Sequence, residues 1–493
     1  MNGVESLMWE LERDPRLSSA FANITIFDRP PDRQTFRARM EAATTAVPRL
    51  RERVVEQRSP LGHPLWVEDP DFDIDHHLRW VSLGGDADER ELLDLVATLS
   101  RQPFDRERPL WEFVTIEGLE GGRAAMLQRL HHTITDGEGG IRLSVEFLDF
   151  ERHPRRPYQP RPHDDAAADE ALGLADHPTA SVDVAGPRTA GGADASPEES
   201  SPWWSRVTGD PIGVIGQGAA GVLAGAATLQ TRGAALSNAT RSTLRQASVG
   251  RRRSPLWAER SLGRWIGTSA LLLEDVRSAA HVLGGSINDL FVTGAVAAAG
   301  RVHELAGHPV DTLRMSMPIS TRHGQSMGGN AFSPTQMLVP TGSMRIEDRF
   351  TAVSTVLTSM KSEPSVSLMD QAAGAASLLP SAALVSTGRH ITSAVDFVCS
   401  NVRAAPFDLF IGGAHMESNH PIGPLVGTAF NLTTMSYRGW LFLGLVVDTA
   451  AIDDPDGLQA ALGDAYEELF AAAGIAPTRW SEEARWSESA RRS

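Results

Sequence analysis

Residues 131–137 read His-His-Thr-Ile-Thr-Asp-Gly, directly after the apolar run from Ala124 to Leu130. A histidine at the mouth of a core strand is rigidly held, and imidazole is the side chain best suited to move protons near neutral pH. On a strand, neighbouring side chains point to opposite faces, so His131 and His132 cannot easily serve one site together. This weighs against a zinc site built from His131, His132 and Asp136, because zinc ligands must converge on one point. A satisfied core histidine capping a strand is the plain alternative, but the adjacent pair, the turn acid and the glycine argue against coincidence. The catalytic alternative divides the work: one histidine faces a channel as general base, and the other packs or hydrogen-bonds behind it. Asp136 is well placed to bond backbone amides or pair with an arginine and so fix the loop. Gly137 permits a backbone angle or a close approach that a Cβ would block. The chain has no Gly-x-Ser-x-Gly elbow and no Walker-type phosphate loop, so a direct, base-assisted transfer is favoured over a covalent intermediate.

The elements that must hold this heptapeptide can be read from periodicity. Phe36, Met40, Ala43 and Val47 recur at helical spacing, as do Leu92, Leu95, Val96 and Leu99. Strand-like runs cover Ala22 to Phe27, Trp111 to Ile116 and Ala124 to Leu130, and Ile141, Val145 and Leu148 give a helix face just past the motif. Residues 1–152 therefore form one dense α/β lobe. Residues 153–253 form a connection. Its first half, 153–202, is a polar linker rich in Pro, Ala, Gly and Asp, and a Gly/Ala-rich helical segment follows from about 212 to 247. The triplet Arg251-Arg252-Arg253 closes it as a solvated turn. A second α/β lobe spans 254–477, with a helix from Leu272 to Leu283, a break at Gly284-Gly285, and a second helix opened by Ser286-Ile287-Asn288-Asp289. Ser286 or Asn288 is the expected cap. Leu313 to Ile319, Phe397 to Asn401 and Gly439 to Val447 are expected core strands, and 478–493 is a polar tail.

Composition bounds the partners. The formal net charge of -16 over 493 residues argues against a general polyanion binder such as a DNA protein. Lys361 is the only lysine, which leaves no other residue for Schiff-base chemistry. Cys399 is the only cysteine, so neither a disulfide framework nor a cysteine-based zinc site can form, in keeping with a reducing cytoplasm. Acids stand at the N-terminus where a signal peptide would have a basic start. The uncharged stretch from Pro211 to Leu229 is dominated by Gly and Ala and reads as a buried or interfacial helix, not a membrane span. That stretch and the mild apolar run from Ala372 to Val385 are the segments through which contact with a lipid surface is expected, if there is any.

With these residues in view, the chain resembles the bacterial wax ester synthase/diacylglycerol acyltransferase family, a branch of the chloramphenicol-acetyltransferase-like acyltransferases. The heptapeptide fits the family's His-His-x-x-x-Asp-Gly signature. Phe72-Asp73-Ile74-Asp75-His76-His77 resembles an upstream segment, and Pro109-Leu110-Trp111-Glu112 resembles the Pro-Leu-Trp motif, followed by Ile116-Glu117-Gly118-Leu119. Asn288-Asp289 resembles the Asn-Asp motif, Ser400-Asn401-Val402 the Ser-Asn-Val element, and Ser436-Tyr437-x-Gly439 a C-terminal one. After Ser-Asn-Val the family usually has Pro-Gly-Pro, where this chain has Arg403-Ala404-Ala405-Pro406.

The resemblance implies an α/β (α+β) fold of two chloramphenicol-acetyltransferase-like lobes, with mixed sheets flanked by helices and an active-site tunnel between the lobes. It makes His132 the general base, Asp136 structural, and His131, Gly137, Asn288 and Asp289 supporting residues, with helix capping as the alternative for Asn288 and Asp289. It implies no bound cofactor and no metal, with acyl-CoA as co-substrate. Diacylglycerol or a long-chain fatty alcohol is the expected acceptor, and triacylglycerol or wax ester the product. The expected location is cytoplasmic, with peripheral contact at the inner membrane face or a lipid-droplet surface. Two rivals remain at this stage. One is a relative acting on a polyketide-type alcohol or a carrier-protein thioester, and the other is a lipid-binding protein that has lost catalysis.

Overall fold

The computed structural model describes residues 1–57, 63–135, 137–154, 170–172, 252–320, 332–361 and 381–479. Asp136, nearly all of the 153–202 linker, the Gly/Ala segments at 211–229 and 212–247, Arg251, most of the run from 372 to 385, and the tail from 480 onward lie outside those residues. Residues 1–180 and 249–493 belong to one compact unit built on two six-stranded sheets, with β2 (Glu52–Val55) and β3 (Leu65–Glu68) forming a separate antiparallel pair.

The first sheet has the order β11 (Phe410–Ile411), β12 (Ala414–Ile422), β1 (Ala20–Phe27), β6 (Ala124–His131), β5 (Trp111–Leu119) and β4 (Leu78–Ala87). The neighbours are antiparallel except for β4 and β5, which run parallel. Every residue of β6 is buried, as expected of a central strand covered on both faces. On one face Phe36 and Met40 of the helix Arg33–Ala46 pack with Phe27, Phe113 and Met126. On the other, Leu92, Leu93 and Val96 of the helix Glu89–Ser100 pack on Ile24 and Leu127. A capping box at Asp88 and Glu91 starts that second helix.

The second sheet has the order β7 (Arg264–Leu272), β14 (Trp440–Asp448), β13 (Phe430–Tyr437), β10 (Phe397–Arg403), β8 (Thr312–Ser320) and β9 (Phe332–Pro340). The buried helix Ile287–Leu305 and the helix Pro455–Ala472 cover one of its faces. Among the described residues no single helix is long and apolar enough to cross a membrane. The bent pair Leu273–Val282 and Ile287–Leu305 has the composition, but the second member supplies Leu290, Phe291, Val292 and Val296 to the core.

Mixed sheets flanked by helices match the expected fold class. Two local expectations change. The helix after the histidine motif ends at Ser144, so Val145 to Leu148 turn back into the core instead of extending a helical face. The segment 254–477 does not stay in one lobe, because β11 and β12 belong to the first sheet, where β12 pairs with β1. A small residue allows this crossing. A Cβ on Gly444 of β14 would lie 1.8 Å from the Pro421 carbonyl oxygen, so only glycine lets β12 pass there. The Tyr437 hydroxyl donates to Met416 O at 3.0 Å and accepts from Leu409 N–H at 3.1 Å, fixing the start of the crossover.

Candidate active site

Strand register separates the two histidines. His131 pairs with Ala20 and shares a face with Arg129 and Leu127; it is completely buried. His132 is the first residue past β6, only partly buried, with its backbone N–H donating to Ser19 O at 3.3 Å. Its ring lies 4.6 Å from that of Phe21, on the opposite face of the sheet.

Both nitrogens of His131 are committed. Nδ1 accepts the Thr133 backbone N–H at 3.2 Å and lies 2.7 Å from the Thr133 hydroxyl. A nitrogen that accepts an N–H carries no proton, so the ring proton is on Nε2, which faces the Glu12 carboxylate. The other Glu12 oxygen accepts the Ser18 hydroxyl at 2.5 Å. Burial pushes the Glu12 carboxyl up, but its close contact with His131 and the hydrogen bond from Ser18 outweigh it and hold the carboxyl below its ordinary range. Glu12 thus grips the loop from two sides: it fixes His131 directly, and through Ser18 it fixes the neighbour of Ser19, whose carbonyl holds the His132 backbone. Sequence gave no signal for Glu12, which lies far upstream in an ordinary acidic turn.

The other expected residues divide. Asp136 lies outside the described residues. Gly137 opens the helix Gly137–Ser144, which packs toward β10, the strand carrying Ser400-Asn401-Val402. Asp289 accepts the Ser286 backbone N–H at 2.8 Å and its hydroxyl at 2.7 Å, closing a capping box, so Ser286 is the cap and Asp289 has the structural role held as the alternative. Asn288 is not the cap. Its Nδ2 reaches Met317 Sδ at 4.0 Å, and its buried Oδ1 has no hydrogen-bond partner among the described residues. The Pro-Leu-Trp segment supports the motif from the side: Leu110 O accepts the His131 N–H at 3.0 Å, and Trp111 Nε1 donates to Leu50 O at 2.8 Å. His77 stacks 4.4 Å from Trp111, and Nδ1 donates to Trp111 O at 2.8 Å; burial pushes its pKa down to about 4. Among the described residues no three acidic, histidine or cysteine side chains converge as a metal-ligand set.

The face carrying Phe21 and His132 also holds a polar row that sequence did not single out. Gln128 Nε2 donates to Thr25 Oγ1 at 3.1 Å, and the Thr25 hydroxyl donates to Asn419 Oδ1 at 2.8 Å. Asn23 Nδ2 donates to the same Asn419 oxygen, and Asn419 Nδ2 turns to Met435 Sδ at 3.2 Å. A cavity of about 260 Å³ lies on the opposite face, lined by Ile24, Ile26, Leu92, Thr268, Ser418 and His420, and it does not include His132. The arrangement supplies one partly open imidazole on a rigid support, which suits proton transfer to or from a bound substrate.

Comparison with known proteins gives a consistent result. Residues 1–291 match the model of the wax ester synthase/diacylglycerol acyltransferase catalytic domain, and residues 328–470 match that of the WS/DGAT C-terminal domain. A Mycobacterium tuberculosis protein provisionally named a diacylglycerol O-acyltransferase is 33% identical over 477 residues, covering 96% of this chain and 91% of its own. A second, similarly named protein of that organism is 27% identical over 463 residues, covering 88% and 82%. Among solved structures, a wax ester synthase/diacylglycerol acyltransferase from Marinobacter aquaeolei superposes with a TM-score of 0.62 at 19% identity, covering 96% of this chain and all of that one. The first condensation domain of the calcium-dependent antibiotic synthetase shares the fold at a TM-score of 0.57 and 14% identity, covering 96% and 95%.

Proposed function

Because the chain belongs to the wax ester synthase/diacylglycerol acyltransferase family and is an O-acyltransferase, we propose that it esterifies a lipid alcohol with the acyl group of an acyl-CoA. The acceptor is diacylglycerol or a long-chain fatty alcohol, and the product is triacylglycerol or wax ester. The observation that carries the mechanism is the division of the histidine pair. Both nitrogens of His131 are engaged inside the protein and its side chain is fully buried, whereas His132 is only partly buried beside Phe21, and we assign His132 as the residue of the pair that meets substrate.

In this mechanism the His132 imidazole takes the proton of the acceptor hydroxyl as its oxygen attacks the thioester carbonyl carbon. The tetrahedral oxyanion collapses, the carbon–sulfur bond breaks, and the CoA thiolate leaves and takes the proton from the imidazolium. Acyl-CoA is a co-substrate, and no resident cofactor enters. Base catalysis of this kind supplies about 10²–10⁴-fold, so positioning must supply much of the rest. Asn288, whose oxygen has no hydrogen-bond partner among the described residues, and Asp289, which closes the capping box with Ser286, support the site from the start of the helix Ile287–Leu305. Both substrates partition into lipid, so peripheral contact with a membrane or droplet surface belongs to the same proposal.

The test uses the full-length protein with palmitoyl-CoA and either dioleoylglycerol or hexadecanol, following thiol release and neutral lipid. No turnover with either acceptor refutes the function. A His132→Ala variant with full activity refutes the mechanism, whereas a loss of about 10²-fold or more supports it.

A further inference from the structure

One buried polar atom on the His132 face has no hydrogen-bond partner among the described residues. Asn23 stands two residues beyond Phe21 on β1 and points to the same face, roughly 7 Å further along the strand. Phe21, Asn23 and His132 are each only half-buried, whereas their strand neighbours Ala22 and Leu130 are buried. The hydrogen-bond chain fixes which end of the Asn23 amide is which. The Asn419 oxygen already accepts the Thr25 hydroxyl, and the Asn419 amide nitrogen faces Met435, so Asn23 must present its NH₂ to Asn419. Its Oδ1 is thereby turned away from the chain, and it has no partner among the described residues. A buried acceptor without a donor is disfavoured, so this oxygen, on the sheet face that holds His132, calls for a donor from outside the described residues.

The chemistry of the substrates narrows that donor. An acyl chain offers no N–H or O–H. The lipid acceptor has one hydroxyl, which the reaction engages at His132, and its ester groups only accept. The thioester donor is different, because its pantetheine arm carries an amide N–H separated from the sulfur by a two-carbon spacer. We propose that Asn23 Oδ1 accepts the amide N–H of the pantetheine arm, setting the thioester against His132. This rests on the acyltransferase function above and gives Asn23 a specificity role within it. Thr25, Gln128 and Asn419 act through Asn23, as the brace that keeps its oxygen turned toward substrate.

The experiment removes the proton from the substrate as well as the oxygen from the protein. Full-length protein is assayed with S-palmitoyl-N-acetylcysteamine, its N-methyl amide analogue, and hexadecanol, in the wild type and in Asn23→Ala. The wild type is expected to use the N–H thioester about tenfold better in kcat/KM than the N-methyl one. Asn23→Ala is expected to treat the two within about twofold, mainly through KM. Equal use of both thioesters by the wild type overturns the proposal, and that arm stands even if the variant fails to fold. An undiminished preference in a folded Asn23→Ala overturns it as well. Palmitoyl-CoA and a palmitoyl carrier protein present the same amide, so both are assayed. The donor whose kcat/KM falls on Asn23→Ala is the one whose arm reaches Asn23, and a fall with neither overturns the proposal. Absence of wild-type turnover with any donor refutes the underlying function instead.

Discussion

Replacing Glu12 by Gln tests whether the base is held by a residue that never meets substrate. The carboxylate receives two donors, His131 Nε2–H on one oxygen and the Ser18 hydroxyl on the other. Glutamine has one carbonyl oxygen and must turn its NH₂ to the second donor, so one of the two loses its acceptor. That costs about 1–3 kcal/mol. If the loss falls on the placement of His132, kcat drops by about 5- to 150-fold, at 1.36 kcal/mol per tenfold. KM for acyl-CoA should hold, because Glu12 bonds only to protein. Glu12→Asp keeps the charge with shorter reach and should recover part of the rate. The pH dependence has a definite sign. The folded carboxyl lies below its ordinary range, so its contribution is complete above the unfolded value and is lost as pH falls toward the lower folded one. The wild type should therefore lose activity through this group on the acid side, and Glu12→Gln should lack that limb. Ester formation with palmitoyl-CoA and hexadecanol across the acid range reads both. A Glu12→Gln protein with wild-type kcat and an unchanged acid limb would refute the positioning role.

Three further outcomes follow from the packing. His77 has a folded pKa of about 4 against an ordinary 6.5, so its contribution to stability is complete above 6.5 and falls by about 3 kcal/mol as pH drops toward 4; His77→Phe should flatten urea-midpoint loss over that window, and an unchanged slope contradicts the assignment. Gly444→Ala forces a methyl onto the Pro421 carbonyl and should destabilise the protein by about 3 kcal/mol or more, as overpacking against backbone does; a variant with an unaltered denaturation midpoint shows that the crossover yields. Cys399 is fully buried, and burial pushes its thiol up, so a disulfide reagent should find no reactive thiol in the native enzyme and one per chain after unfolding; prompt labelling of native protein speaks against this core.

The sequence by itself determined the local parts of this site. Strand alternation at 124–132 was enough to give His131 and His132 different environments, because the period of a strand is a property of neighbouring residues. The helix start was legible for the same reason, as a cap at Ser286 or Asn288, since a cap is settled within a single helical turn; the structure chose Ser286 and closed the box with Asp289. What decided the rest is contact between residues remote in the chain. The crossover strand Ala414–Ile422 contains His415, Glu417, Ser418, Asn419, His420 and Pro421, and was not among the strands expected from the sequence. It is a strand because β1 supplies its ladder on one side and the second sheet encloses it on the other. Glu12 and Asn23 likewise look like any surface acid and any strand polar residue. Only the fold places one against His131 and leaves the buried oxygen of the other without a hydrogen-bond partner among the described residues.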